Sequence, residues 1–179
     1  RSIAGVEGCA GNMFLGRVPG FAGQPATTST SGPDGVLTVS QGSQHQLWAG
    51  DGGSLLRSYN ISSPGLPPPA LFAPINTGGT FRVDEMAYSP SANLVLVANN
   101  ADNPAFGTLV NASTGAIVHG HIGVPGAVRP DQSLWSPATG SFFTSVPPSG
   151  RHPTAGLAAL PTHCPVARPW HTSHARPGR

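Results

Sequence analysis

Apolar residues in this chain fall into short runs, separated by clusters of Gly, Pro, Ser, Asn and Asp. The clearest stretch is 83–122, VDEMAYSPSANLVLVANNADNPAFGTLVNASTGAIVHGHI. Leu94-Val95-Leu96-Val97-Ala98 is an unbroken apolar run, the pattern of a strand buried on both faces. It is preceded by a strand over 85–88 and a turn over 89–93, and followed by a turn over 99–104. Strands are then predicted over 106–110 and 116–122, separated by Ser113-Thr114-Gly115. On the N-terminal side, strands are predicted over 13–20, 36–39, 47–50 and 55–61. Asp51-Gly52-Gly53 closes a hairpin between the last two. Pro67-Pro68-Pro69 marks a connection, and Pro74 places the strand over 72–76 at a sheet edge. Beyond the central unit, strands are predicted over 132–135 and 141–146, after which the pattern stops.

The strands repeat. Tyr88-Ser89-Pro90 matches Trp135-Ser136-Pro137 at a shift of 47, and Trp48-Ala49-Gly50-Asp51 matches Val97-Ala98-Asn99-Asn100 at a shift of 49. Segments 15–20, 72–78 and 119–126 share a third pattern. Four strands in 40–50 residues is the arithmetic of a β-propeller blade. Such a blade has two apolar faces and needs a neighbour on each. Trp48, Tyr88 and Trp135 are expected at equivalent places, packing between blades. Sandwich or barrel, and a largely disordered chain, are the competing readings.

The run 31–150 resembles seven-bladed propellers of the YVTN-repeat, quinoprotein-dehydrogenase-like superfamily, and in particular secreted members of unknown function. The segments that carry the likeness are Leu47-Trp48-Ala49-Gly50-Asp51-Gly52, Asp84-Glu85-Met86-Ala87-Tyr88, Val95-Leu96-Val97-Ala98-Asn99-Asn100-Ala101-Asp102 and Trp135-Ser136-Pro137-Ala138-Thr139-Gly140. The expected fold is therefore all-β: a partial β-propeller of two to three four-stranded blades over 31–150. An irregular segment with one blade-edge strand precedes it over 1–30, and a disordered tail follows over 151–179. The resemblance implies a secreted or extracellular protein. The chain starts at Arg1 without a signal-peptide core, as expected of a processed chain or a fragment.

Composition narrows the function classes. Only 9% of the 179 residues are charged, and Gly and Pro number 24 and 20. Net charge is +2, with no lysine, and four of the nine arginines lie at or beyond Arg151. The body is thus nearly neutral, which gives no footing for nucleic acid. No apolar run approaches the ~20 residues of a membrane helix. The tail holds four Arg, four His and five Pro, and its abrupt change of composition suggests an alternative splice or frame replacing later blades. His163, Cys164, His171 and His174 lack standard zinc spacing.

Candidate chemistry is sparse. Asp51, Asp84, Asp102 and Asp131 fall at strand ends or turns. Asp84 and Asp131 precede matching inner strands, and with Asn99 and Asn100 they are the candidate binding set at a central mouth, able to offer oxygen ligands. No cofactor is assigned; Ca2+ is the ion such a set would take. The competing reading is Asp that simply caps turns. Asp84 and Glu85, adjacent on a strand, point to opposite faces. His119 and His121 are expected on one strand face, able to chelate or merely exposed. Asn60-Ile61-Ser62 and Asn111-Ala112-Ser113 are glycosylation acceptors by pattern, at corresponding third-strand ends. Cys9 and Cys164 are a candidate disulfide.

These readings favour a non-catalytic binding or interaction module, its protein or small-molecule ligand unspecified, with self-association through open blade faces. The alternatives are a fragment of a propeller enzyme, a lactonase-like hydrolase or quinoprotein-type oxidoreductase whose site needs further blades, and a truncated product without function.

Overall fold

The computed structural model describes residues 18, 21, 33–63, 67–123, 127, 129–148, 155–162 and 171–173. Twelve strands fill them. The first sheet holds β1 (Asp34–Gln41), β2 (Gln44–Asp51), β3 (Leu55–Asn60) and β4 (Ile75–Asn76). The second holds β5 (Met86–Ser89), β6 (Leu94–Asn99), β7 (Phe106–Asn111) and β8 (Ile117–Gly123). The third holds β9 (Ser133–Ser136), β10 (Ser141–Val146), β11 (Gly156–Pro161) and β12 (His171–Ser173). Each sheet is an antiparallel meander in chain order. Adjacent sheets approach most closely along their first strands, β1 beside β5 and β5 beside β9. The fold is all-β and propeller-like, with three blades of four strands.

Alternation along the second sheet explains the stacking. Val95 and Val97 of β6, Val110 of β7 and Met86 of β5 pack with Val39, Trp48 and Leu56 of the first sheet. The intervening Leu96, Leu109 and Ala87 pack with Phe142, Val146, Ala158 and Leu160 of the third. Successive side chains of a strand point to opposite faces, so a strand covered on both sides reads as a continuous apolar run. That is why 94–98 has no polar residue. Each large apolar side chain so buried contributes about 1.5–3 kcal/mol.

The shift of 47 holds in the structure. Tyr88 pairs with Val95 on β6, and Trp135 pairs with Phe142 on β10, in the same register. Their turns match too: Asn93 and Gly140 both adopt positive φ, 55° and 59°. The shift of 49 does not hold. Trp48 leans on the second sheet, whereas Val97 leans back on the first, so they meet across one core rather than occupy equivalent places. A match one residue out of register exchanges the two faces of a strand, because the side-chain period is two. Trp48 also lies on a second strand, while Tyr88 and Trp135 lie on first strands. All three nevertheless pack between sheets.

The tail departs from expectation. Residues 156–161 and 171–173 form β11 and β12, which complete the third sheet instead of lying in a disordered segment. Ala158 and Leu160 face the second sheet and are buried there. The short run Leu157-Ala158-Ala159-Leu160 was outweighed by its Arg-, His- and Pro-rich surroundings, yet it supplies the apolar alternation a third strand needs. The change of composition at Gly150 therefore falls inside a sheet, not at its end. Apart from Ala155 and Thr162, the remainder of 151–179 lies outside the described residues, as do residues 1–17 with most of the expected strand over 13–20; Val18, which is described, belongs to no strand.

Two substitutions test this stacking. Leu96→Ala, which empties a site 1% exposed, should cost about 2–4 kcal/mol in urea unfolding, and Phe142→Ala about 3–5 kcal/mol. Losses below ~1 kcal/mol at both positions would mean that the sheets do not pack as described.

Candidate functional site

The candidate acids gather at one end of the three sheets, where first strands begin and second strands finish. The Asp84 amide donates to the Ala98 carbonyl (2.9 Å), and Ala98 returns a bond to Glu85 (2.9 Å). Asp131 and Gln132 make the same exchange with Ser145 at 2.9 and 3.2 Å. Asp84 and Asp131 are therefore equivalent, as their placement before matching strands implied. A third aspartate, Asp34, opens β1 opposite Gly50.

Two glycines allow the first and second blades to close up here. Gly35 is a bulge residue with φ +50°, and a Cβ on it would stand 2.2 Å from the Asp84 carbonyl oxygen. A Cβ on Gly50 would stand 2.1 Å from that of Val83. Both contacts are with backbone, so neither can yield by turning a side chain. With both glycines in place, Arg82 reaches Asp34 in an ion pair and also Asp84 Oδ2 at 3.4 Å. The Asn100 side-chain amide donates to the same Oδ2.

The structure divides the four candidate binding residues. Asp84 and Asn100 are joined, with Arg82 and Asp34 completing the group. Asn99 is turned away and fully buried. Its Nδ2 donates to Ser54 Oγ at 2.9 Å, and its Oδ1 accepts from Thr77 Oγ1 at 2.8 Å. Ser54 and Thr77 hydroxyls lie 2.6 Å apart, and Asp102 Oδ1 accepts from the Thr80 amide at 2.8 Å. These groups bolt the 100–105 turn of the second blade to the outer part of the first. Asp131 is exposed, and its backbone carbonyl accepts from Thr144 Oγ1 at 2.7 Å. Asp51 is buried and bound by Arg57 Nε at 2.7 Å.

Burial pushes the Asp84 carboxyl above its ordinary range; the Asn100 bond opposes this, the Asp34 charge adds to it, and Arg82 opposes it. Glu85 is raised as well, first by burial, then by the charges of Asp84, Asp131 and Asp34, against a bond from Gln132. This rim thus concentrates negative charge around one arginine. It does not suit Ca2+: Asn100 turns its NH2, not its oxygen, toward Asp84, and the Arg82 guanidinium already stands between the carboxylates. Among the described residues no three His, Cys, Asp or Glu side chains form a metal-holding group. A small cavity between the second and third sheets, lined in part by Leu96, Phe106, Ser133 and Thr144, has room for about one water.

His119 and His121 do not share a face. His119 opposes Leu109 and Ile122 opposes Gly107, so β8 carries one extra residue there. His121 absorbs it at φ 51° and stacks on Phe106 at 4.2 Å. A bulge breaks the two-residue alternation that a chelating pair requires. Asn60 and Asn111 do end equivalent third strands, and each Oδ1 accepts from the amide two residues on, Ser62 at 3.0 Å and Ser113 at 2.9 Å. Ile61, Ser62 and Ser113 are exposed. Cys9, Cys164, His163 and His174 lie outside the described residues; His171 falls in β12.

Sequence reasoning missed Arg82, Asp34, Ser54 and Thr77. Arg82 had a visible signal: one of few charges in a nearly neutral body, two residues from Asp84. Ser54 and Thr77 had none, since their role depends on a blade that begins later in the chain. Comparison with protein-family models, with curated proteins and with solved structures gives no match in any of the three.

Two experiments follow from this geometry. A carboxyl whose folded pKa is raised favours folding at low pH and loses that contribution as pH rises through the folded pKa. Glu85→Gln should therefore raise Tm relative to the parent at pH 7, with the difference vanishing toward pH 3; a lower Tm at pH 7 would contradict the crowding of acids. Asn99→Ala and Ser54→Ala should each cost about 1–3 kcal/mol. The double variant should cost clearly less than the two added together, since both break one network; full additivity would show that they act separately.

Proposed function

We propose that this chain is a non-catalytic, propeller-like interaction module that acts outside the cell. The observation that carries the reading is a division of labour between rim and blade face. At the rim, Arg82 with Asp34, and Asn99 with Ser54 and Thr77, join the first two blades. Apolar side chains are left to solvent on the sheet faces: Leu134 and Leu157 on the third sheet are 53% and 51% exposed, besides Val36 on the first sheet and Ile117 and Val118 on β8. Exposed apolar patches of this kind mark association surfaces. Blade-like meanders, and the recurring Ser-Pro turn at Ser89-Pro90 and Ser136-Pro137, support kinship with the YVTN-repeat, quinoprotein-like propellers. The sequons at Asn60 and Asn111, on strand ends with exposed neighbours, support a secreted glycoprotein.

The alternative is a fragment of a propeller enzyme, a lactonase-like hydrolase or quinoprotein-type oxidoreductase, whose rim carboxylates would act with further blades. Its specific support is the placing of Asp34, Asp84 and Asp131 at the heads of successive first strands.

Thermal melting with added Ca2+ separates the two. The module reading expects no change in Tm up to about 5 mM, and a saturable rise would transfer the argument to the enzyme. Expression through a eukaryotic secretory pathway should give a mass increment removed by Asn60→Gln, Asn111→Gln or both. An unmodified secreted product would end the glycoprotein reading.

A further inference from the structure

We infer that the far face of the third sheet is a self-docking surface, which pairs with the same face of a second copy about a two-fold axis. The inference rests on the module reading and names its partner.

The repeat register identifies the surface. Phe143 on β10 pairs with Leu134 on β9 and Ala159 on β11. Leu96 on β6 pairs with Ala87 on β5 and Leu109 on β7. The two rows are equivalent, strand for strand. In the second sheet, Ala87, Leu96 and Leu109 are the row buried against the third sheet. In the third sheet, the same row lies on the open side. Leu134 and Leu157 are more than half exposed there, and Phe143 and Ala159 are half-buried. A row built like one that elsewhere packs on a neighbouring four-stranded sheet has the apolar content to pack on another; within the chain its partner is the unlike Phe142 face, so the choice of a like face rests on charge and asymmetry.

Charge and asymmetry select the occupant. β9, β10 and β11 carry no charged residue. Along these three described strands, bringing two such faces together opposes no like charges and buries none unpaired. The opposite end of the stack is different. The first sheet's outer face carries the Asp51–Arg57 ion pair, and Phe21 lies over its Tyr59 and Arg57 part, 6.1 Å from the Tyr59 ring and 5.4 Å from the Arg57 guanidinium, while Val36 beside it stays 73% exposed. Tyr59 is only 5% exposed. A head-to-tail stack would have to displace Phe21, and would leave an unmatched face on every terminal copy. Face-to-face pairing matches open surface with open surface and closes at two copies.

Sedimentation velocity on the full chain, from about 1 to 100 µM, reads the outcome directly. The expected result is a monomer–dimer equilibrium with nothing larger. Leu134→Glu and Leu157→Glu should each raise the dimer Kd at least tenfold or so, with far-UV circular dichroism unchanged. Both positions are largely exposed, so neither change disturbs a core. Val36→Glu on the first sheet, 73% exposed, should leave the dimer intact. A chain that stays monomeric throughout would overturn the inference, as would a dimer insensitive to both leucine variants. Dissociation by Val36→Glu, or species that grow beyond two copies, would assign the contact to head-to-tail stacking and overturn it too. None of these outcomes alters the Ca2+ melting result, so the failure of self-docking and the failure of the module reading are separately visible.

Discussion

The structure depends on a sheet that has no solvent side. In the second blade, neighbouring residues of one strand serve different cores: Val95 and Val97 lean on the first blade, Leu96 on the third. Such a sheet cannot be stable alone, since half its apolar surface would face water whichever side were covered. The stack is therefore the unit of stability, and each blade's contribution includes its neighbours. It also sets where the chain is tolerant. Turns and outer strands vary in length, from the two residues of β4 to the seven of β8, while β6 and β10 keep six residues each in matching register.

Around these apolar cores, polar side chains fasten the blades at both ends. At the rim, Asn99, Ser54 and Thr77 form one joint, and Arg82 between Asp34 and Asp84 another. At the opposite end, Asn93 accepts from Gln41 and donates to Ser113 at 2.8 Å, and the Ser113 hydroxyl donates to Gln41 Oε1 at 3.2 Å. Apolar contacts have little directional preference; hydrogen-bonded joints at both ends restrict how one blade slides on the next. The rim joint has a cost, since the acids around Arg82 outnumber it. Two residues that look like ligands from the sequence, Asp84 and Asn99, take part in these joints.

What could be read in advance followed physical range. The strands of the first two blades, β9 and β10 were legible, because alternation and turn chemistry are local. The buried-both-sides character of 94–98 was legible for the same reason. The mouth was only half legible. Asp84 and Asp131 were rightly matched, since both precede first strands, but Asn99 and Asn100 point to opposite sides of the chain and joined different groups. The His119 and His121 pair failed on one extra residue in β8, which no periodicity reveals. The repeat shift of 49 failed because similar residues can serve opposite faces. β11 was hidden by composition: four apolar residues do not stand out among prolines, arginines and histidines, though a partner sheet is enough to order them.

Native-state hydrogen exchange tests the double burial most directly. The amides of β6 and β7 should be the slowest in the chain, opening only with global unfolding, and slower than those of β8, whose Ile117 and Val118 are exposed. If β6 exchanges as fast as β8, the second blade is not held between two others and the account of the stack is wrong.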